Sequence, residues 1–149
     1  MTRRDSVWFA FQLVLFVAML AAPVVQRQRV PWIVRVSGLI VILGGGGVAS
    51  AGYRALGTSH SPWSTPVASG RLITTGIYRW VRHPIYVGWC LAAAGGALLT
   101  GSTLGLGVAA GLGAFYDLRS REEERLLAER YAAYATYAGS SRRFVPGLY

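Results

Sequence analysis

From Ile85 to Tyr116 the chain runs for 32 consecutive positions without a charged side chain. One crossing of a bilayer core takes about 20 residues of helix, so this run is too long for a single ordinary span. At its centre lies Leu99-Thr100-Gly101-Ser102-Thr103, a turn-like patch of small and polar residues. Two arrangements satisfy the pattern: one long tilted helix, or a tight hairpin of two short helices that returns the chain to the side it left. The choice decides whether the polar segments on its two flanks share one membrane face.

Two more apolar stretches precede this run. Residues 7–25 carry no charge and follow Arg3 and Arg4. A secretory signal is the alternative there, because Ala21-Ala22-Pro23 faintly resembles a cleavage region. The length of the stretch, and the Arg27-Gln28-Arg29 flank behind it, favour a true span. Residues 32–53 make the second, with Arg35 near enough to its end to extend outward to the headgroups. Its Gly44-Gly45-Gly46-Gly47 run has neither the spacing nor the lysine of a phosphate loop, so close helix packing is its expected use.

Charge is distributed accordingly. Of the 149 residues 53% are hydrophobic, and all 15 basic residues are arginine against 6 acids, a net +9. Such a balance would suit nucleic acid, but the arginines stand in short clusters between apolar stretches and no nucleic-acid-binding module is visible; no nucleic-acid partner is expected. The single Cys90 excludes an internal disulfide and a cysteine-based metal site, and is expected to pack. No metal is expected.

Residues 54–84 are a polar loop with four arginines, in which His60 reads as an ordinary loop residue and Trp63, Tyr78 and Trp80 as interfacial anchors. The tail from residue 119 holds six arginines, against two in the 26–31 loop. The positive-inside rule therefore puts both large polar segments, and both termini, in the cytoplasm, with a bacterial inner membrane as the expected setting. The expectation is an all-α integral membrane protein with about four transmembrane or re-entrant helices plus a C-terminal amphipathic helix. Over a single domain, 1–149, it has helices at 7–25 and 32–53, a cytoplasmic loop at 54–84, a helical hairpin at 85–116 and a cytoplasmic helix and tail at 117–149.

Chemistry concentrates at two places. In "GIYRWVRHPIYVGW", residues 76–89, Arg79, Arg82 and His83 stand directly before an apolar helix. Pro84 suits the first helical position, where its missing N–H is no loss, and pushes His83 toward an extended conformation. The free N–H groups of that helix start, beside Arg82, would receive a carboxylate, and Gly88 would allow close approach. In the tail, Glu123, Leu127, Tyr131 and Tyr134 recur at helical spacing, with Glu124 bordering that stripe and Glu122 pointing away. An amphipathic surface helix, whose four Glu and four Arg between 119 and 130 neutralise one another, is the plain alternative. If the long run is a hairpin, both places share a face, and a site with a carboxylate receptor at one end and paired acids at the other suits a zwitterionic ligand.

"LITTGIYRWVRHPIYVG", then "REEERLLAERY" and "RRFVPGLY", resembles the membrane methyltransferase superfamily of isoprenylcysteine carboxyl methyltransferases and phospholipid N-methyltransferases, whose signature is an RHPxYxG stretch, a helical hairpin and a Glu pair. The likeness covers roughly residues 55–149, with Ile77 where proline is common and Tyr131-Ala132 in place of Phe-Gly. It implies S-adenosylmethionine as cofactor, held by Arg82, His83, Pro84, Tyr86, Gly88, Glu123 and Glu124, with His83 and Glu123 as catalytic candidates. The two glutamates would bind its polar groups or hold the pocket's architecture. The implied acceptor is a lipid-like or amphiphilic molecule from the bilayer, such as a phospholipid amine or an isoprenoid-type carboxylate. A non-catalytic scaffold that keeps the fold is the alternative. Arg142 and Arg143 are expected to meet lipid headgroups, although the resemblance also allows them to close the pocket. The glycine-rich helices would in addition suit a homodimer.

Overall fold

The computed structural model describes residues 3–59 and 70–147. His60 and Trp63, in the polar loop, lie outside the described residues. Among the described residues five α-helices follow in order: α1 (Arg3–Val25), α2 (Trp32–Leu56), α3 (Pro84–Thr100), α4 (Thr103–Arg130) and α5 (Tyr134–Ser140). No strand forms among the described residues; one isolated parallel bridge joins Val81 to Arg142. The fold is an all-helical membrane fold. Helices α1 and α2 are long and apolar enough to cross a membrane, while α3, with 17 residues, is shorter. Their outer faces are apolar, as hydrocarbon requires: Phe11, Leu20 and Val25 on α1 and Trp32, Ile40 and Leu43 on α2 are all exposed.

The long uncharged run is a hairpin. Helix α3 ends on Gly101, whose φ of 70° lies in the left-handed region that a residue with a Cβ avoids. Ser102 then caps α4 by accepting the Gly105 N–H at 2.9 Å, and its hydroxyl donates to the Ala22 carbonyl at 3.2 Å. The α1–α2 loop holds the tip in place. Gln26 accepts the Leu104 N–H at 2.6 Å, and the Gln28 N–H donates to the Thr100 carbonyl at 2.9 Å.

Helices α2 and α3 run antiparallel along a seam of small residues. The buried members on α2 are Gly38, Gly45, Ala49 and Gly52, and those on α3 include Gly88 and Gly95. A Cβ on Gly45 would sit 2.7 Å from the Gly88 carbonyl oxygen, and one on Gly95 would sit 2.7 Å from the Gly38 carbonyl oxygen. Packing therefore rests on glycines seven apart rather than on the four-glycine run, of which Gly44, Gly46 and Gly47 have open space where a side chain would go. The expectation of close packing holds for Gly45 alone.

Helix α1 closes the other side. Trp8 meets Phe115 edge-on at 5.5 Å and Phe16 meets Trp89 at 4.9 Å, over a core of Ala93, Leu112, Phe115 and Tyr116. Cys90 packs against that core, as expected.

The polar C-terminal region departs from expectation. Helix α4 does not stop near residue 116 but continues without a break to Arg130. Leu112, Phe115, Tyr116, Arg119 and Ser120 form one buried face across the change from apolar to charged sequence, so packing carries the helix on. It ends where Tyr131 turns extended, at φ −117° and ψ 109°. The expected stripe is thereby divided: Tyr131 donates to the Gly70 carbonyl at 2.7 Å, and Tyr134 starts α5. No separate C-terminal amphipathic helix begins at 117.

Candidate functional site

The site is assembled where the Arg82-His83-Pro84 turn meets the polar end of α4. Gly76–Arg79 forms a short 3-10 turn, after which the backbone pairs with the C-terminal segment. The Arg82 N–H donates to the Arg142 carbonyl at 2.8 Å, the His83 N–H to the Arg143 carbonyl at 3.1 Å, and the Arg142 N–H to the Trp80 carbonyl at 3.1 Å. Residues 141–144 thus strap the turn from outside. Tyr137 reinforces the strap by donating to the Tyr78 carbonyl at 2.8 Å; burial pushes its hydroxyl up to about 12, so it remains a donor at neutral pH.

Pro84 occupies the first position of α3 and His83 precedes it at φ −125° and ψ 57°, on the extended side in φ only. The imidazole does not cap the helix. It lies between the two carboxylates, with Nε2 3.2 Å from Glu124 Oε1 and Nδ1 3.7 Å from Glu123 Oε2.

Glu124 is a hub. It accepts from Arg82 Nε at 2.9 Å and from Arg143 Nη2 at 2.8 Å, besides its contact with His83. Burial opposes its charge, but hydrogen bonds from His83, Arg143 and Arg82 outweigh burial and hold this carboxyl well below the usual range. Arg82 donates in addition to the carbonyls of Ala138 at 3.0 Å and Ser141 at 2.6 Å. Glu123 accepts from the Tyr86 hydroxyl and from Arg119 Nε at 3.0 Å. Glu122 pairs outward with Arg125 at 3.0 Å, so the inward pair is Glu123 and Glu124.

Three rings stack behind the carboxylates. His83 and Tyr86 lie 5.3 Å apart with planes 6° from parallel, and Tyr86 and Tyr116 lie 4.0 Å apart at 10°. Phe144 of the strap closes on His83 at 5.8 Å. Two buried hydroxyls, those of Tyr116 and Tyr134, have no hydrogen-bond partner among the described residues. A buried polar atom without a partner is unfavourable unless something else satisfies it, and both belong to the walls of this site.

Of the residues named from sequence, Arg82, His83, Tyr86, Glu123 and Glu124 come together. Gly88 does not join them. A Cβ there would sit 2.7 Å from the Ala49 backbone nitrogen and 2.6 Å from its Cβ, so the close approach it permits is that of α2. Pro84 keeps its place in the turn, but its ring faces Gly52, where a Cβ would lie 3.2 Å from Pro84 Cγ. Arg143 points inward to Glu124 and Asp117 instead of to headgroups, whereas Arg142 is exposed. Sequence reasoning passed over Arg119, only 3% exposed, together with Tyr116 and Gln12, the last of which accepts from Arg119 Nη1. The usable signal was spacing: Arg119 lies three and seven residues after Tyr116 and Leu112, on one helix face.

A family model described as phospholipid methyltransferase matches residues 33–134, which is 102 of the 149 residues. The chain belongs to the phospholipid methyltransferase family. The chain is 27% identical over 130 residues to the human protein-S-isoprenylcysteine O-methyltransferase, covering 83% of this chain and 45% of that protein. To the Xenopus laevis protein of the same name it is 29% identical over 128 residues, covering 81% and 44%. A solved structure of the eukaryotic intramembrane Ras methyltransferase, an isoprenylcysteine carboxyl methyltransferase, superposes with a TM-score of 0.70 at 22% identity, covering 97% of this chain and 50% of that one. That likeness shows the fold. The chain spans about half the length of the curated relatives it matches.

Proposed function

We propose that this chain transfers a methyl group from S-adenosylmethionine to a lipid-like or amphiphilic acceptor at the membrane surface. The observation that carries the reading is the two-sided wall: Arg82 and His83 from the turn, Glu123 and Glu124 from α4, and a stack of aromatic rings, all at the polar end of a bundle whose outside is apolar. Family membership supports the same reaction class.

The residues fit the cofactor. When bound it supplies an activated methyl group on a sulfonium cation. A carboxylate suits such a cation, and Glu123 provides one beside the stacked rings of His83, Tyr86 and Tyr116. The Tyr134 hydroxyl, which has no partner among the described residues, offers a further hydrogen bond beside Arg82 and Glu124. Glu124, already engaged by Arg82, His83 and Arg143, is assigned to architecture. Methyl transfer is a displacement that depends on alignment and exclusion of water, so no nucleophilic side chain is required. His83 and Glu123 take the catalytic places: either can accept a proton from an acceptor that must lose one.

The family description points to a phospholipid amine as acceptor and the named relatives to a prenylated cysteine carboxylate; both are amphiphiles that arrive sideways from the bilayer. The polar end of the bundle is assigned to the cytoplasm, on the arginine count of its loop and tail. The test is calorimetric titration of S-adenosylmethionine into purified wild-type, His83→Ala and Glu123→Ala proteins of verified fold. Saturable binding by the wild type, lost in both variants, supports the pocket, and labelled methyl transfer to phosphatidylethanolamine or to a prenylated cysteine then identifies the acceptor. No binding by the wild type in two detergents and in lipid nanodiscs overturns the reading in favour of a non-catalytic membrane protein.

A further inference from the structure

Helix α1 lies outside the 33–134 segment that matches the family, yet it reaches the site. Between Ser6 and Gln26 the only polar side chain in α1 is Gln12. An amide in the middle of an apolar helix is unfavourable in hydrocarbon, and is retained where it faces the interior of the bundle and finds a partner. Gln12 does so. It shares a helix face with Trp8, Leu15, Phe16 and Met19, which pack on the α3–α4 core, and its Oε1 accepts from Arg119 Nη1. Arg119, buried at 3% exposure, donates through Nε to Glu123 at 3.0 Å, and Glu123 accepts from the Tyr86 hydroxyl. The Arg119 guanidinium also lies 6.0 Å from the centre of the Tyr86 ring.

We infer that Gln12 is a positioning residue for the site: it fixes the far side of the Arg119 guanidinium, and through Arg119 it sets Glu123 and Tyr86, so that α1 forms part of the cofactor-binding unit. The inference rests on the reading of the site as an S-adenosylmethionine pocket. An amide performs this task without a charge of its own, leaving Glu123 as the ion-pair partner of Nε. Removing it takes an acceptor away from a buried charged group and loosens the hold on the guanidinium.

The test compares Gln12→Leu, Gln12→Glu and Leu15→Ala in nanodiscs. Gln12→Leu is expected to weaken S-adenosylmethionine binding about tenfold, the scale of one lost hydrogen bond to a charged group. Gln12→Glu keeps an acceptor oxygen at the same reach and is expected to stay within about threefold of the wild type. Leu15→Ala, on the same face, lowers thermal stability but leaves the affinity unchanged. In the ligand-free protein the Arg119 Nε–H resonance, assigned by its loss in Arg119→Lys, is expected to shift and broaden in Gln12→Leu and to be retained in Gln12→Glu. Wild-type affinity and an unmoved resonance in Gln12→Leu overturn the inference, as does an equal loss of affinity in Leu15→Ala. A wild type that binds no cofactor sinks the proposed function alone, because the resonance still decides whether Gln12 positions Arg119.

Discussion

Glu124 holds Arg82, His83 and Arg143 at once, which ties the turn before α3, the polar end of α4 and the C-terminal strap to one carboxylate. Removing the charge takes an ionic partner from two guanidinium groups that are 12% and 19% exposed, and breaking such a pair costs up to about 3–5 kcal/mol. Glu124→Gln is therefore expected to unfold markedly more easily at pH 7.5, read by thermal unfolding in detergent. The pH dependence has a definite sign. Because the folded-state carboxyl is held below its unfolded value of about 4.3, its contribution is complete above that pH and is lost as pH falls from there toward the folded value. The difference between wild type and Glu124→Gln should be constant from pH 8 to about 5 and shrink below about 4.3; a difference that shrinks between pH 8 and 6 would refute this account. At this scale Arg82, Glu123 and Glu124 were legible in residue type and spacing and, through the family resemblance, so were His83 and Tyr86. Gln12 and Arg119 were not, because a lone amide in an apolar helix and one arginine among several carry no local mark of the partner they meet across the bundle.

The α2–α3 seam is backbone against backbone, so its glycines differ sharply in what they tolerate. Gly88→Ala would drive a Cβ to 2.7 Å from the Ala49 nitrogen, where neither wall can yield cheaply, and overpacking of this kind costs about 1–3 kcal/mol or more. Gly46→Ala meets open space within a helix and should be neutral or stabilising by up to about 1 kcal/mol. Paired melting curves check both, and equal effects would dissolve the distinction. At the hairpin tip, Ser102→Ala removes the cap on Gly105 and should cost about 1 kcal/mol by the same measurement. The spans were legible from the absence of charge, and the hairpin was one of the two arrangements the long run allowed. The continuation of α4 was not, since a stretch dense in Glu and Arg has the composition of a water-exposed helix. Arg119 and Ser120 are nevertheless interior positions, and Arg119 meets Gln12 of α1 and Tyr86 of α3 there.

Across the whole molecule, a ligand that binds the folded bundle stabilises it by mass action, by about 2.7 kcal/mol at a hundredfold excess over Kd. Thermal unfolding of the wild type should accordingly move upward with S-adenosylmethionine concentration, while His83→Ala should not respond; a flat wild-type curve counts against the pocket. The seam of glycines has one more consequence. Its contacts recur every seven residues, about 10.5 Å along a helix, and between these points α2 carries side chains that would strike α3. Sliding by a single turn is thereby blocked, so α3 is indexed against α2 like a pawl in a ratchet with one tooth. The depth at which the Arg82-His83-Pro84 turn meets the lipid surface is set by that index and not by the lipid, and a bilayer of different thickness must adapt to the protein.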